Sequence, residues 1–156
     1  AWYVEKVLQF LTEQQLLIKQ GQTYQTVTPQ EAGYYRLQLL AHNSDAILQR
    51  YAMVLNLLQL EAPLQRLELE QHSHQLAQRL VTLHGMNAPE YYDKQLFATL
   101  VNALKDAGYI EVDDECRLQC GLNFTALLDT INALLQPDVL QSITQITHHY
   151  TSTSRT

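Results

Sequence analysis

Residues 78–110, QRLVTLHGMNAPEYYDKQLFATLVNALKDAGYI, carry in order the signals of a helix, a turn, a second helix and a strand. Gly85 follows His84 where a left-handed residue would end the first helix, and a residue without a Cβ adopts that conformation at little cost. Asn87-Ala88-Pro89-Glu90 reads as the next start. The Asn side chain can accept a free amide hydrogen bond, Pro is tolerated in a first turn, and Glu90 completes a capping-box pattern. From Lys94 to Ala107, Leu96, Phe97, Leu100, Val101 and Leu104 share one helical face, opposite Gln95, Thr99, Asn102 and Lys105. Burying side chains of this kind contributes roughly 1.5 to 3 kcal/mol each, which outweighs local propensity. Gly108 then ends the helix and Tyr109-Ile110-Glu111-Val112 reads as a strand.

The same pattern recurs at the other end of the chain. Tyr3, Val4, Val7, Leu8 and Leu11 are the face of a first helix, and an offset of 93 residues carries them onto the face just described. Leu16 and Leu17 map by the same offset onto Tyr109 and Ile110. Leu16-Leu17-Ile18 and Tyr24 to Val27 read as a hairpin turning at Gly21, and Tyr109 to Cys120, turning near Asp113-Asp114, falls opposite it. The reading is a repeated helix-hairpin-helix module in a mainly α protein with two small β-hairpins, two winged-helix-like modules packed together. The expected divisions are residues 1–44, a first module truncated at its N-terminus; 45–147, a second helical module with its hairpin at about 109–120; and 148–156, a disordered tail rich in Ser and Thr.

Between the two hairpins the chain is helical. Thr28-Pro29-Gln30-Glu31 is a helix start with Thr28 as cap. A pause is expected at His42-Asn43-Ser44-Asp45, whose short polar side chains compete for backbone hydrogen bonds. The run from Ala46 to Leu60, AILQRYAMVLNLLQL, is apolar nearly all round and is therefore the central, buried helix, stopped by Pro63. Leu64 to His84 forms a long helix, Phe124 to Leu135 another, and Val139 to Ile146 a last one.

Composition narrows the function. The chain has 156 residues, 46% of them apolar and 17% charged, ordinary for a folded domain. A net charge of -6, with ten scattered Lys and Arg, argues against nucleic acid, whose phosphates draw on clustered cations. No apolar run is long enough to span a bilayer. The chain opens on Trp2-Tyr3-Val4, already inside an amphipathic pattern, so it is expected to begin partway through a larger polypeptide. Two cysteines fit a reducing setting better than a disulfide scaffold.

Individual polar residues carry no chemistry that a structural role does not explain. His72 and His74, two apart on a helix, point about 200° from each other, which suits a solvated face better than a single metal ion. Cys116 and Cys120 lack the two-residue gap of a zinc or redox pair and read as unlinked thiols. His84 suits a helix C-terminus, and Asp93, Asp106, Asp113 and Asp114 suit helix ends and a turn. A helix-turn-helix followed by a hairpin is also the outline of a DNA-binding winged helix, with Lys94 to Ala107 in the recognition position. That helix sets Lys94 and Lys105 against Asp93 and Asp106, and the hairpin sets Glu111, Asp113, Asp114 and Glu115 against Arg117, a surface that repels phosphate.

Gln49-Arg50-Tyr51-Ala52, Ala77-Gln78-Arg79-Leu80, Leu83 to Glu90, Asp93-Lys94 and Gly108-Tyr109-Ile110 together give the chain its family likeness. It resembles the C-terminal region of the large membrane-bound bacterial glycerol-3-phosphate 1-O-acyltransferases, most strongly from Leu48 to Ile110 and fading after Val112. The resemblance implies a parent that transfers an acyl group from acyl-CoA or acyl-carrier protein to glycerol 3-phosphate in phospholipid synthesis, at the cytoplasmic face of the inner membrane. In that family a His-x4-Asp motif supplies the general base. The residues five places after His42, His72, His74, His84, His148 and His149 are Ile47, Ala77, Arg79, Pro89, Thr153 and Ser154, so the motif is absent here. No catalytic, cofactor-binding or metal-ligating residue is assigned, and no cofactor is expected. The implied partners are the upstream acyltransferase domain, its substrates through that domain, and a membrane surface. The competing reading is a free-standing helical interaction or regulatory module of winged-helix type that does not bind DNA.

Overall fold

The computed structural model describes residues 2–84 and 89–154, side chains of 89, 90 and 151–154 apart. Among them are six α-helices and two separate two-stranded antiparallel sheets, the mainly helical architecture that the periodicity predicts. The chain forms two compact units, Ala1–Asp45 and Ala46–Thr156.

In the first unit, α1 (Trp2–Glu13) leads into β1 (Leu17–Gln20) and β2 (Thr23–Thr26). Leu17 pairs with Thr26 and Gln20 with Thr23, and the turn places Gly21 at φ 61°, a conformation that favours a residue without a Cβ. Thr28 and Glu31 do form the expected capping-box contacts, Thr28 Oγ1 donating to Glu31 Oε2 at 3.0 Å. They close a turn, however, and α2 (Tyr34–Glu61) begins only after Gly33. A Cβ on Gly33 would stand 1.9 Å from the Gln15 carbonyl oxygen, so the close approach of the two backbones there requires glycine.

The expected pause at His42–Asp45 does not occur, because α2 is one helix of 28 residues. Ser44 Oγ donates to the Leu40 carbonyl at 2.9 Å, a bond back along the helix that leaves the ladder intact where competition was expected.

The second unit is built on the later part of α2, where Ala52 to Leu55, Leu57 and Leu58 are buried as the all-round apolar pattern requires. Around it lie α3 (Arg66–His84), a short 3₁₀ turn (Pro89–Tyr92), α4 (Lys94–Asp106), β3 (Ile110–Val112), β4 (Leu118–Cys120), α5 (Phe124–Leu134) and α6 (Pro137–Ser154). Leu64, just before α3, exchanges both backbone hydrogen bonds with Leu118 at 3.2 and 2.8 Å, attaching the α2–α3 connection to the edge of the hairpin. The apolar face of α4 is buried as predicted: Phe97, Leu100, Val101 and Leu104 are at most 7% exposed, although Leu96 is 39% exposed.

Two further boundaries differ from expectation. The cap of α4 is Asp93, whose carboxylate accepts from the Gln95 amide at 2.9 Å; Pro89–Tyr92 is only a 3₁₀ turn, and Gly85, Asn87 and Ala88, read as a helix stop and start, lie outside the described residues. Helix α6 runs well past Ile146, through residues expected to fray. The hydroxyls of Ser142, Thr144 and Thr147 each donate to the carbonyl four residues earlier, so polar side chains accompany the helix without interrupting it.

Candidate functional site

Within the second unit, polar side chains gather in two places around α3. The deeper is a knot between α2 and the turn that precedes α4. Arg50 is 9% exposed although it sits in an otherwise apolar run, and its Nε donates to the Tyr91 carbonyl at 2.9 Å. Its guanidinium lies over the Tyr91 ring, 5.4 Å from the ring centre, and the Tyr91 hydroxyl donates to Gln49 Oε1. Burial pushes the Tyr91 hydroxyl well above its ordinary pKa against the opposing pull of the Arg50 charge, so it stays a neutral donor. The knot fixes the entry to α4. Nothing in it is poised to move a proton near neutral pH.

The second gathering lies along α3 and α6. His72 Nδ1 meets Glu61 Oε2 at 3.0 Å, and its ring stands edge-on to Tyr150 with centres 4.9 Å apart. The Tyr150 hydroxyl donates to Gln75 Oε1, and the Arg79 guanidinium sits 5.2 Å from the Tyr150 ring centre. Beside this cluster an open groove of about 720 Å³ is lined by Gln75, Gln78, Arg79, Thr82, Leu83, Gln145, Ile146 and His149. Thr82 Oγ1 is committed to the Gln78 carbonyl at 2.9 Å. The lining holds no carboxylate or thiol; it offers amides, the Arg79 guanidinium, the His149 imidazole and apolar surface, with no acidic group to orient the imidazole.

The residues weighed from sequence fall into local roles. His72 and His74 face different partners, Glu61 and the Tyr92 carbonyl, and no group of three or more metal-ligating side chains forms among the described residues. Cys116 and Cys120 are free and exposed, and partial burial raises the Cys120 thiol, which makes it a poorer nucleophile. Asp113 organises the hairpin turn: Oδ1 accepts from the Glu115 and Arg117 amides at 3.0 and 2.8 Å, and Oδ2 from Arg117 Nε at 2.9 Å. The Arg117 amide, then its guanidinium and the Glu115 amide, hold the Asp113 carboxyl below the usual carboxylate range. Arg117 is further engaged by Glu115 at 3.1 Å, so the one cation of the hairpin is already neutralised. His84 is exposed and is the last residue of α3. Sequence reasoning did not foresee the Arg50–Tyr91 knot. Its signal was one arginine inside AILQRYAMVLNLLQL, where an unpaired charge is not tolerated.

A family model described as the glycerol-3-phosphate acyltransferase C-terminal region matches residues 1–113. The chain belongs to this family. Among curated relatives, a glycerol-3-phosphate acyltransferase of Shewanella baltica is 43% identical over 141 residues, covering 90% of this chain and 16% of the relative. The enzyme of the same name from Shewanella pealeana is 36% identical over 148 residues, 95% of this chain and 17% of the relative. That of Pseudoalteromonas atlantica is 34% identical over 144 residues, 92% of this chain and 18% of the relative. No solved structure matches. The acyltransferase C-terminal region described here thus spans under a fifth of the length of those relatives, and none of its described helices is long and apolar enough to cross a membrane.

Proposed function

We propose that this chain is the C-terminal, non-catalytic portion of a glycerol-3-phosphate 1-O-acyltransferase, which transfers an acyl group from acyl-CoA or acyl-carrier protein to glycerol 3-phosphate in phospholipid biosynthesis. The observation that carries this reading is that none of the six histidines is followed at the fifth place by an aspartate, in a chain that belongs to the C-terminal region of that family. His72 and His74, the two histidines with described partners of their own on α3, are engaged by Glu61 and the Tyr92 carbonyl. General-base chemistry needs an imidazole free to take a hydroxyl proton and a carboxylate to orient it. The base and its aspartate therefore belong upstream, and this portion acts as a packing partner of the acyltransferase domain.

The second module, residues 45–147 with its hairpin at about 109–120, serves as a winged-helix-like packing module rather than a nucleic-acid reader, since acidic groups offset the cations of α4 and of the wing. The parent works peripherally at the cytoplasmic face of the inner membrane. Two measurements test the reading. An antibody raised to residues 1–156 should detect a several-fold larger, membrane-associated polypeptide in native cells; a soluble band at 17.9 kDa overturns it. Residues 1–156 alone should show no acyl transfer to glycerol 3-phosphate, and turnover by the purified chain would place a base here after all.

A further inference from the structure

We infer that the Val4–Val7 face of α1 is a docking surface for an amphipathic helix of the same polypeptide N-terminal to Ala1, the counterpart of α3 in the second unit. The two units end their first helix in the same way. Three backbone hydrogen bonds close α1, from Gln14 to Phe10, Gln15 to Thr12 and Leu16 to Leu11, at 3.0, 2.9 and 2.9 Å. Moved along the chain by 93 residues they become Ala107 to Ala103, Gly108 to Lys105 and Tyr109 to Leu104, at 3.0, 3.0 and 2.9 Å. Gln15 and Gly108, equivalent by that offset, both have positive φ. A glycine then presses on each: a Cβ on Gly33 would meet the Gln15 carbonyl oxygen, and one on Gly121 the Gly108 carbonyl oxygen. The modules are one design used twice.

What differs is the cover. Phe97 and Leu100 on α4 are 0% and 7% exposed, whereas their counterparts Val4 and Val7 on α1 are 60% and 39% exposed. In the second unit α3 packs directly against α4, with Leu69, Leu76 and Leu80 in the same core as Phe97 and Leu100. Among the described residues of the first unit no helix plays that part for α1, and only Leu16 and Val27 are buried apolar side chains. So small a core does not hold a unit of this length together without further support. The repeat offset puts the counterpart of Arg66–His84 about 10 to 28 residues ahead of Ala1. The inference rests on the reading of this chain as part of a longer acyltransferase.

A diazirine analogue of leucine, close to valine in size, placed at Val7 of the full-length protein tests it, with the same group at Val4 as an independent position and at Gln9, on the polar side of α1, as a control. Photolysis followed by mass spectrometry of crosslinked peptides should join Val4 and Val7 predominantly to a segment within about thirty residues upstream of Ala1, with no such product from Gln9. Crosslinks that land only in residues 46–156, only in a second copy of the polypeptide, or nowhere overturn the inference. If the native polypeptide proves no longer than this chain, it is instead the acyltransferase reading that fails.

Discussion

Gln15 and Gly108 close their respective helices in the same left-handed conformation, with φ of 59° and 76°, yet only one of them is the residue that conformation favours. A side chain at positive φ costs roughly 1 to 2 kcal/mol through contact of its Cβ with the carbonyl oxygen. Gln15→Gly should therefore stabilise the first unit by about 0.5 to 1 kcal/mol. Gly108→Ala should destabilise the second by about 1 kcal/mol, although nothing beyond the adjoining backbone lies within 4 Å of the added methyl. Amide exchange at residues 14–18 and 107–110 reads the two effects separately. Slower exchange near Gly108→Ala, or faster exchange near Gln15→Gly, would contradict the equivalence.

The α4 face is the core of the second unit, and Leu100 is its test. Leu100→Ala should cost about 2 to 5 kcal/mol, and Leu100→Asp should abolish cooperative melting because it buries a charge with no partner. An unchanged thermal transition for Leu100→Asp would remove α4 from the core.

Arg50→Ala leaves the buried Tyr91 carbonyl without its donor and removes the cation over the ring, a loss of about 2 kcal/mol in urea denaturation. Arg50→Lys should recover only part of it, since an ammonium lacks the planar fork that bonds the carbonyl and stacks at once. Tyr91→Phe, which removes only the hydroxyl bond to Gln49, should cost about 1 kcal/mol. If all three variants melt alike, the knot does not position α4.

Stability of the β3–β4 hairpin should fall in acid. The folded Asp113 carboxyl lies below its ordinary value of 3.8, so its contribution is fully present above that value and is lost as pH falls through the lower folded one. Chemical shifts of Glu115 and Arg117 amides followed from pH 6 to 2 should report the loss, and Asp113→Asn should flatten the profile. An inflection above the ordinary carboxylate value would reverse the sign of the shift.

A Cβ on Gly121 would stand 2.5 Å from the Gly108 carbonyl oxygen and 3.0 Å from that of Tyr109, both backbone atoms that cannot swing aside. Gly121→Ala should cost about 1 to 3 kcal/mol, measured as a lowered urea midpoint with an unchanged slope. A midpoint equal to the parent's would mean that the hairpin can withdraw from the helix end.

Much of this fold is legible in the residues because apolar periodicity and burial agree. The α4 face and the all-round apolar second half of α2 are both read correctly from spacing alone, and the two hairpins fall within a residue or two of their expected places. Ser44, in the expected pause of α2, and Thr147, just past the expected end of α6, each return their hydroxyl to the carbonyl four residues back, and a one-dimensional reading does not reveal which partner a hydroxyl takes. Asp93 reads as a residue near a helix end rather than as the cap, because Asn87 and Pro89 offer a stronger local signal. The Arg50–Tyr91 knot joins residues far apart in sequence, which periodicity does not address.

The exchange of hydrogen bonds between Leu64 and Leu118 bears on how the chain is made as well as on how it rests. During synthesis Leu64 leaves the ribosome well before β4 exists, and the apolar later half of α2 emerges before α3, α4 and the hairpin that will enclose it. The second unit is thus committed to assembling late, with a long loop to close and a greasy helix waiting in the meantime. A nascent chain arrested before Leu118 should be bound by holdase chaperones, and release should follow once the hairpin has cleared the exit tunnel.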